Sequence, residues 1–239
     1  MIDRKALAES KRWVIKIGSS LITNEGQGLD TKAMQAWAEQ IAELRNQGKE
    51  ILLVSSGAVA EGMARMGWNK RPHELHTLQA AAALGQMGLI QQFESCFKNH
   101  GIHTAQVLLT HEDLSDRQRY LNARSTLRTL LSLGAIPIIN ENDTVSVEEL
   151  RFGDNDTLGA LITNLIEADL FICLTDVDGL YTGNPNGDSE AKPVYTIAKV
   201  DKKVKAMAGN VVGALGTGGM QSKIDAAHMV SARGGSSFI

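Results

Sequence analysis

The chain has 239 residues, of which 43% are hydrophobic, and its formal net charge at pH 7 is −3. A chain of this length can bury one large core, so we predict a single domain over residues 1–239. The 24 basic and 27 acidic side chains are nearly balanced, without the basic excess that is typical of a nucleic-acid surface. We therefore expect no nucleic-acid partner.

Neither the N-terminal residues nor the two cysteines indicate export or a metal site. Residues 1–11 lack the apolar segment of a signal peptide, and no uncharged apolar run reaches the roughly 18 residues of a membrane helix. Cys96 and Cys173 lie in apolar stretches without CxxC spacing, which predicts two reduced core thiols. We therefore expect a cytoplasmic protein that has no membrane partner.

Short apolar runs and helical patterns alternate along the chain. Runs bounded by turn residues predict strands at 13–17, 51–54, 104–109, 135–139 and 169–174, with a sixth beginning at 236. A helical pattern follows Asp30 and ends near Gly48, and others span 74–98, 120–133, 156–167 and 219–233. This alternation predicts an α/β three-layer sandwich, with a mostly parallel central sheet and helices on both faces.

Glycines follow two of the predicted strands, where a parallel sheet presents its ligand-binding edge. Gly18 and Gly57 lie just past the first and second strands, and a third glycine loop, 216–219, opens the last helix. Taken alone, either glycine is as well explained as a residue that lets the chain turn after a strand. Three together favour a phosphate site, because a missing Cβ lets backbone N–H groups approach an anion.

Two lysines have the positions expected of phosphate ligands. Lys16 interrupts the apolar strand VIKIG, where an unpaired ammonium group would be costly unless it reaches a cleft. Lys223 lies one turn into the helix after GTGGM. An edge lysine and a solvated helix lysine are the alternatives. Two lysines and a divalent ion would supply the charge neutralisation that phosphoryl transfer needs.

Acidic residues cluster in two nearby loops. Asp143, Asp154 and Asp156 could be solvated turn residues, and GDND is too short for a calcium loop. Asn155 offers both donors and acceptors to an α-amino acid, whereas Asp156 could cap a helix or hold the two lysines. The motifs GxxxxGK[ST], HRD, DFG and GxGxxG do not occur, which argues against P-loop enzymes, protein kinases and dinucleotide dehydrogenases.

Six motifs carry a family resemblance that extends over 13–233. In order, IKIGSS, VSSGAV, INENDTV, FGDND, LTDVDGLYT and LGTGGMQSK resemble the amino acid kinase superfamily and, within it, the glutamate 5-kinase branch. The resemblance implies ATP-dependent phosphorylation of the side-chain carboxylate of L-glutamate to L-glutamyl 5-phosphate, the first step of proline biosynthesis. It also implies ATP and Mg²⁺ as cofactors, feedback inhibition by proline, and a homodimer or homotetramer.

The resemblance implies a role for each residue that matches a family motif. The catalytic residues would be Lys16, Lys223 and Asp156, with Asp156 orienting the lysines. Phosphate and nucleotide contacts would come from both lysines and from Gly18, Gly57, Thr175, Asp176, Thr217, Gly218, Gly219 and Met220. Glutamate would be bound by Ser56, Asp143, Asp154 and Asn155. Mg²⁺ would be held largely through the phosphates, with no metal site made by side chains.

The sequence departs from the family pattern in two places. Gln221 and Ser222 stand where Ser-Thr is expected, and the chain ends as its sixth strand begins. We therefore expect a kinase domain that is incomplete at its C-terminal end and has no PUA-type domain. The alternatives are a superfamily member acting on aspartate, N-acetylglutamate, carbamate or a nucleoside monophosphate, and a non-catalytic sensor of glutamate or proline. Only Arg151 offers a cation in 140–156, which argues against a nucleotide as phosphoryl acceptor.

Overall fold

The computed structural model describes residues 4–24, 28–146, 155–185, 187–209 and 219–239. Within these ranges the chain forms six strands and ten α-helices. The strands are β1 (Arg12–Ile17), β2 (Glu50–Ser55), β3 (Thr104–Leu109), β4 (Ile136–Glu141), β5 (Leu170–Leu174) and β6 (Ser236–Phe238). The helices are α1 (Arg4–Glu9), α2 (Ser19–Ile22), α3 (Thr31–Asn46), α4 (Ala58–Arg65), α5 (Leu75–Lys98), α6 (His111–Ser115), α7 (Arg117–Ser132), α8 (Asn155–Ile166), α9 (Lys202–Met207) and α10 (Met220–Ser231).

The six strands form one sheet in the order β3-β4-β2-β1-β5-β6. Every neighbouring pair is parallel, so the predicted mostly parallel sheet is confirmed. β1 lies between β2 and β5, with Lys16 opposite Val54 on one side and Cys173 on the other. Because the strands are parallel, the residues that follow β1, β2, β4 and β5 all emerge at the same edge of the sheet.

Helices cover both faces of the sheet, which confirms the three-layer prediction. One face carries Ile15, Ile17, Ile51 and Leu53 and packs against α3 and α5 through Met34, Ile41, Leu89 and Phe93. The other face carries Val14, Leu52, Val54 and Phe171 and packs against α7, α8 and α10 through Leu127, Leu158, Ile162 and Val230. Burial on both faces explains why the buried apolar stretches of β1, β2 and β4 do not alternate with polar residues.

Several element boundaries differ from the predictions, and local capping explains two of them. α7 begins at Arg117, earlier than the predicted residue 120, because the Asp116 carboxylate accepts a hydrogen bond from the Arg119 backbone N–H at 2.9 Å. α4 was not predicted. Its N-cap is Gly57, which has φ 101° and no side-chain capping bond, so the usual sequence signal for a helix start is missing. β4 continues to Glu141, two residues beyond the predicted end.

Helices α4 and α5 cross with their backbones in direct contact. A Cβ at Gly62 would lie 1.8 Å from the Ala81 carbonyl oxygen, and a Cβ at Gly85 would lie 1.8 Å from the Ala58 carbonyl oxygen. Any larger residue would therefore push the helices apart, so both positions require glycine. The crossing brings the middle of α5 beside the first turn of α4, at the edge of the sheet where the candidate site lies.

Candidate functional site

Two lysines and one aspartate form a buried charge cluster, defined here as Lys16, Asp156 and Lys223. Lys16 Nζ lies 2.5 Å from Asp156 Oδ1, and Lys223 Nζ lies 3.3 Å from Asp156 Oδ2. Asp156 is fully buried, and the lysines are only 6% and 7% exposed. The structure thus brings together the three residues that the sequence singled out, and their formal charges sum to one positive charge.

The fold explains why these side chains converge. Side chains alternate along β1, so Lys16 points to the same face of the sheet as Val14, which is the face covered by α8 and α10. Asp156 lies in the first turn of α8 and Lys223 in the first turn of α10. A carboxylate is favoured at a helix N-terminus, where backbone N–H groups carry partial positive charge. A lysine is not favoured there, and its pairing with Asp156 offsets that penalty.

Asp156 stays ionised despite complete burial. Desolvation alone would raise its pKa, but the attraction of Lys16 and Lys223 outweighs it and holds the pKa of this carboxyl well below its usual range. The Ser222 hydroxyl also donates to Asp156 Oδ2 at 2.7 Å. The Cys173 thiol donates to Asp156 Oδ1 at 3.3 Å, and burial together with the Asp156 charge raises the pKa of Cys173 to about 12. Cys173 is thus a buried, protonated thiol.

Two of the predicted glycine turns lie at the edge of the sheet beside this cluster. Gly18 directly follows β1, and a Cβ there would lie 3.8 Å from Lys16 Nζ. Gly57 follows β2 in the left-handed region, with φ 101°, and precedes α4. Gly219 and Met220, also predicted to contact the nucleotide, are the N-cap and first residue of α10, the helix that carries Lys223. Backbone N–H groups at such turns can hold phosphate oxygens.

A second polar arrangement, the amide chain, consists of Gln86, Asn140 and Asn155. Asn155 Nδ2 donates to the Ser55 carbonyl oxygen at 2.6 Å and to Asn140 Oδ1 at 2.8 Å. Asn140 Nδ2 in turn donates to Gln86 Oε1 at 2.8 Å. All three side chains are buried. Since Asn155 and Asp156 are consecutive, the start of α8 joins the amide chain to the charge cluster.

The other predicted residues lie in the loops after β2, β4 and β5. Ser56 directly follows β2 and is partly buried. Asp143 follows β4, where burial and the neighbouring Glu141 charge outweigh the attraction of Arg71 and raise the pKa of Asp143 to about 7. Thr175 Oγ1 donates to Asp176 Oδ1 at 3.2 Å just beyond β5. Asp154, Thr217 and Gly218 lie outside the described residues.

Sequence reasoning missed four residues of these two arrangements, of which Asn140, Ser222 and Cys173 contact predicted residues and Gln86 contacts Asn140. Asn140 was visible within INENDTV but was assigned no role, and Gln86 is a single polar residue on an otherwise apolar helix, a weak signal. From the sequence, Ser222 is only a departure from the family pattern, yet in the structure its hydroxyl contacts Asp156. Cys173 was read as a core thiol. It is buried as predicted, but the cross-strand register that brings it to Asp156 appears only in the folded sheet.

No group of three or more His, Cys, Asp or Glu side chains able to hold a metal occurs within 4–24, 28–146, 155–185, 187–209 and 219–239.

Several curated relatives that are similar in sequence to this chain are named glutamate 5-kinase. The protein of Nitrosospira multiformis is 58% identical over 98% of this chain and 63% of its own length. That of Pseudomonas savastanoi pv. phaseolicola is 58% identical over 96% and 62%, and that of Thioalkalivibrio sulfidiphilus is 57% identical over 99% and 63%. The chain thus spans less than two thirds of the length of these relatives.

A solved structure is similar in fold to this chain, and a family model matches its sequence. The carbamate kinase from Giardia lamblia bound to AMP-PNP superposes with a TM-score of 0.64 over 96% of this chain and 92% of that one. Its sequence identity is 17%, so this likeness shows the fold alone. The model of the amino acid kinase family matches residues 11–239. This match confirms the resemblance drawn from the six motifs, and the chain belongs to the amino acid kinase family.

Proposed function

We propose that the chain transfers the γ-phosphoryl group of ATP to the side-chain carboxylate of L-glutamate, giving L-glutamyl 5-phosphate and ADP, the first step of proline biosynthesis. The observation that carries the proposal is the convergence of Lys16 and Lys223 on the buried Asp156. The names of the relatives at 57–58% identity support glutamate as the acceptor.

Lys16 and Lys223 would neutralise the charge that spreads over the transferring phosphoryl oxygens. Phosphoryl transfer depends mainly on positioning and electrostatic stabilisation. Lysine ammonium groups stabilise negative charge more strongly in a site that excludes water. Asp156 would act as a positioning residue, because its two carboxylate oxygens contact one lysine each. Gly18, Gly57 and the residues from Thr217 to Met220 would bring backbone N–H groups to the phosphates, and Thr175 and Asp176 would contact the nucleotide.

The reaction needs no general base. The glutamate side chain has an ordinary pKa near 4.3 and is ionised at neutral pH. One of its oxygens attacks the γ-phosphorus in line, a new O–P bond forms, and the bond from the γ-phosphorus to the bridging oxygen breaks. The electron pair of that bond leaves with ADP, so no proton is transferred.

The glutamate backbone would be held beside this centre by Ser56, Asp143, Asp154 and Asn155. Asp143 would pair with the α-ammonium group, and a carboxylate next to an ammonium group is the usual arrangement for such recognition. Asn155 is adjacent to Asp156 in the chain, so a residue that binds the substrate and one that orients the lysines share the first turn of α8.

ATP and Mg²⁺ are the proposed cofactors, and proline is the proposed feedback inhibitor of a homo-oligomer. Mg²⁺ usually keeps few protein ligands and binds substrate phosphates, where it lowers their negative charge. In the part of the chain that the structure describes, no helix combines the length and apolarity that crossing a bilayer requires. The cytoplasmic location inferred from the sequence stays a prediction.

The proposal is tested by supplying ATP and Mg²⁺ with glutamate, aspartate or N-acetylglutamate in parallel. Hydroxylamine traps any acyl phosphate as a hydroxamate, and ADP is counted separately. We expect hydroxamate and equimolar ADP with glutamate alone. Product from aspartate or N-acetylglutamate would identify that acid as the phosphoryl acceptor and contradict the assignment of glutamate. Amino-acid binding by calorimetry without any turnover would favour the sensor alternative and contradict the proposed reaction.

A further inference from the structure

The hydrogen bonds of the amide chain determine which end of each amide is oxygen and which is nitrogen. The Glu141 backbone N–H donates to Asn140 at 2.9 Å, and a backbone N–H can only donate, so the accepting atom must be Asn140 Oδ1. The other end of Asn140 is therefore Nδ2, which donates to Gln86 at 2.8 Å. It follows that the Gln86 atom in this contact is Oε1.

The opposite end of Gln86 is then a buried donor. Gln86 is 7% exposed, and its Nε2 has no hydrogen-bond partner among the described residues. At the far end of the amide chain, Asn155 Nδ2 donates to the backbone carbonyl of Ser55, which can only accept. Backbone groups thus fix the orientation of both asparagines, and Gln86 is left with one buried N–H₂ group whose hydrogen bonds are unmade among the described residues.

The packing of α5 holds Gln86 in this place. Its neighbour Gly85 contacts the first turn of α4, where a Cβ would lie 1.8 Å from the Ala58 carbonyl oxygen. Two turns earlier, Gln79 Nε2 reaches the Ser146 carbonyl oxygen at 3.4 Å. One side of α5 therefore supports both the end of β4 and the loop that carries Asp143.

We propose that Gln86 is a positioning residue that sets the affinity for the amino-acid substrate. Its Oε1 holds the Asn140 amide and, through it, Asn155, while its Nε2 donates to an oxygen of the bound substrate or of a water that the substrate retains. The inference rests on the proposed function only in taking an amino acid as the ligand of this site. Gln86 takes no part in the phosphoryl transfer itself.

The first test is Gln86→Met, which keeps the length of the side chain and removes both hydrogen-bonding ends. We expect KM for glutamate to rise by about tenfold or more, because a positioning contact and a donor are both lost. The turnover number and KM for ATP should change by less than about threefold, since the charge cluster is untouched. An equal rise in KM for both substrates would indicate general structural damage and overturn the proposal.

The second test is Gln86→Glu, which restores the acceptor and makes the donor dependent on pH. The new carboxyl can both accept and donate when it is protonated, but it can only accept when it is ionised. We therefore expect the ratio of the variant's KM for glutamate to that of the wild type to fall as the pH is lowered, whereas the ratio for Gln86→Met should stay constant. A ratio that is independent of pH in both variants would remove the role assigned to Nε2.

The matched control is Gln91→Met, at an exposed position on the same helix, for which KM should stay at the wild-type value. If the wild type is active and Gln86→Met leaves KM for glutamate unchanged, the inference fails and the proposed function stands. If the wild type phosphorylates none of glutamate, aspartate and N-acetylglutamate, the proposed function fails. Calorimetry of glutamate binding to the wild type and to Gln86→Met then tests Gln86 separately, and equal dissociation constants would overturn its role.

Discussion

The charge cluster and the amide chain start from consecutive residues, Asp156 and Asn155, but they are held together differently. In the cluster, one buried carboxylate is shared by two ammonium groups, and their positive charge keeps Asp156 ionised. In the amide chain the groups are neutral, and orientation is fixed by backbone groups that can only donate or only accept. Removing one charge should therefore cost far more than removing one amide.

The largest effect is expected from Asp156→Asn, which removes the buried carboxylate that both lysines contact. We expect the free energy of unfolding to fall by about 3–5 kcal/mol, as when one partner of a buried ion pair is removed. The measurement is urea denaturation at neutral pH. The matched control is Asp225→Asn, which breaks the partly exposed Lys205–Asp225 pair and should cost at most about 1 kcal/mol. Equal losses in the two variants would contradict the dominant role of burial.

Next in size is the loss of activity in Lys16→Ala and Lys223→Ala. In the proposed reaction, each variant would remove a preorganised cation from the transferring phosphoryl group. We therefore expect turnover to fall about 10²- to 10³-fold, or about 3–4 kcal/mol of transition-state stabilisation. Turnover is measured as ADP release with saturating glutamate. Lys98→Ala, at an exposed position on α5, is the control and should be unaffected. Turnover near the wild-type level in both variants would refute the catalytic assignment.

A smaller effect is expected from Asn140→Ala, which breaks the middle of the amide chain. The Glu141 N–H, Asn155 Nδ2 and Gln86 Oε1 each lose a partner, so we expect the free energy of unfolding to fall by about 2 kcal/mol. KM for glutamate should rise while KM for ATP stays constant. Thermal unfolding and steady-state kinetics measure the two effects. A loss of stability as large as that of Asp156→Asn would remove the distinction between the two arrangements.

The smallest effect concerns pH and Asp143. Because burial and Glu141 raise the pKa of Asp143 to about 7, this carboxyl becomes protonated as the pH falls below neutrality and then loses its attraction for an α-ammonium group. We expect KM for glutamate to rise about tenfold between pH 8 and pH 6, since only about a tenth of the carboxyl is ionised one unit below its pKa. Asp143→Asn should have a high KM across this range. A parallel pH profile in that variant would assign the titration to another group.

Lowering the pH should weaken glutamate binding through Asp143, but through the same carboxyl it should increase the free energy of unfolding. Its pKa is raised on folding, so the folded state binds more protons than the unfolded state between about pH 4 and pH 7. The contribution of Asp143 to stability is therefore greatest below this window and is lost as the pH rises through it. Comparing urea midpoints of the wild type and Asp143→Asn across the window checks the sign.

Much of the architecture could be predicted because it depends on local patterns. Apolar runs between turn residues identified five of the six strands, and the helical periodicity after Asp30 located α3. α4 could not be predicted in the same way. Its start has no side-chain cap, and its packing depends on Gly62 and Gly85 meeting the backbone of the opposite helix.

By itself, the sequence determined the family and the parallel sandwich. It also singled out the three residues of the charge cluster, because Lys16, Asp156 and Lys223 are conspicuous in apolar or glycine-rich surroundings. Only the tertiary structure decided which groups contact them. Lys16 and Cys173 are far apart in the chain and become neighbours through strand register, and both then reach Asp156. Gln86 and Asn140 meet because α5 is held against α4 by a glycine crossing. Such contacts depend on register and helix packing, which bring together residues that carry no shared local pattern.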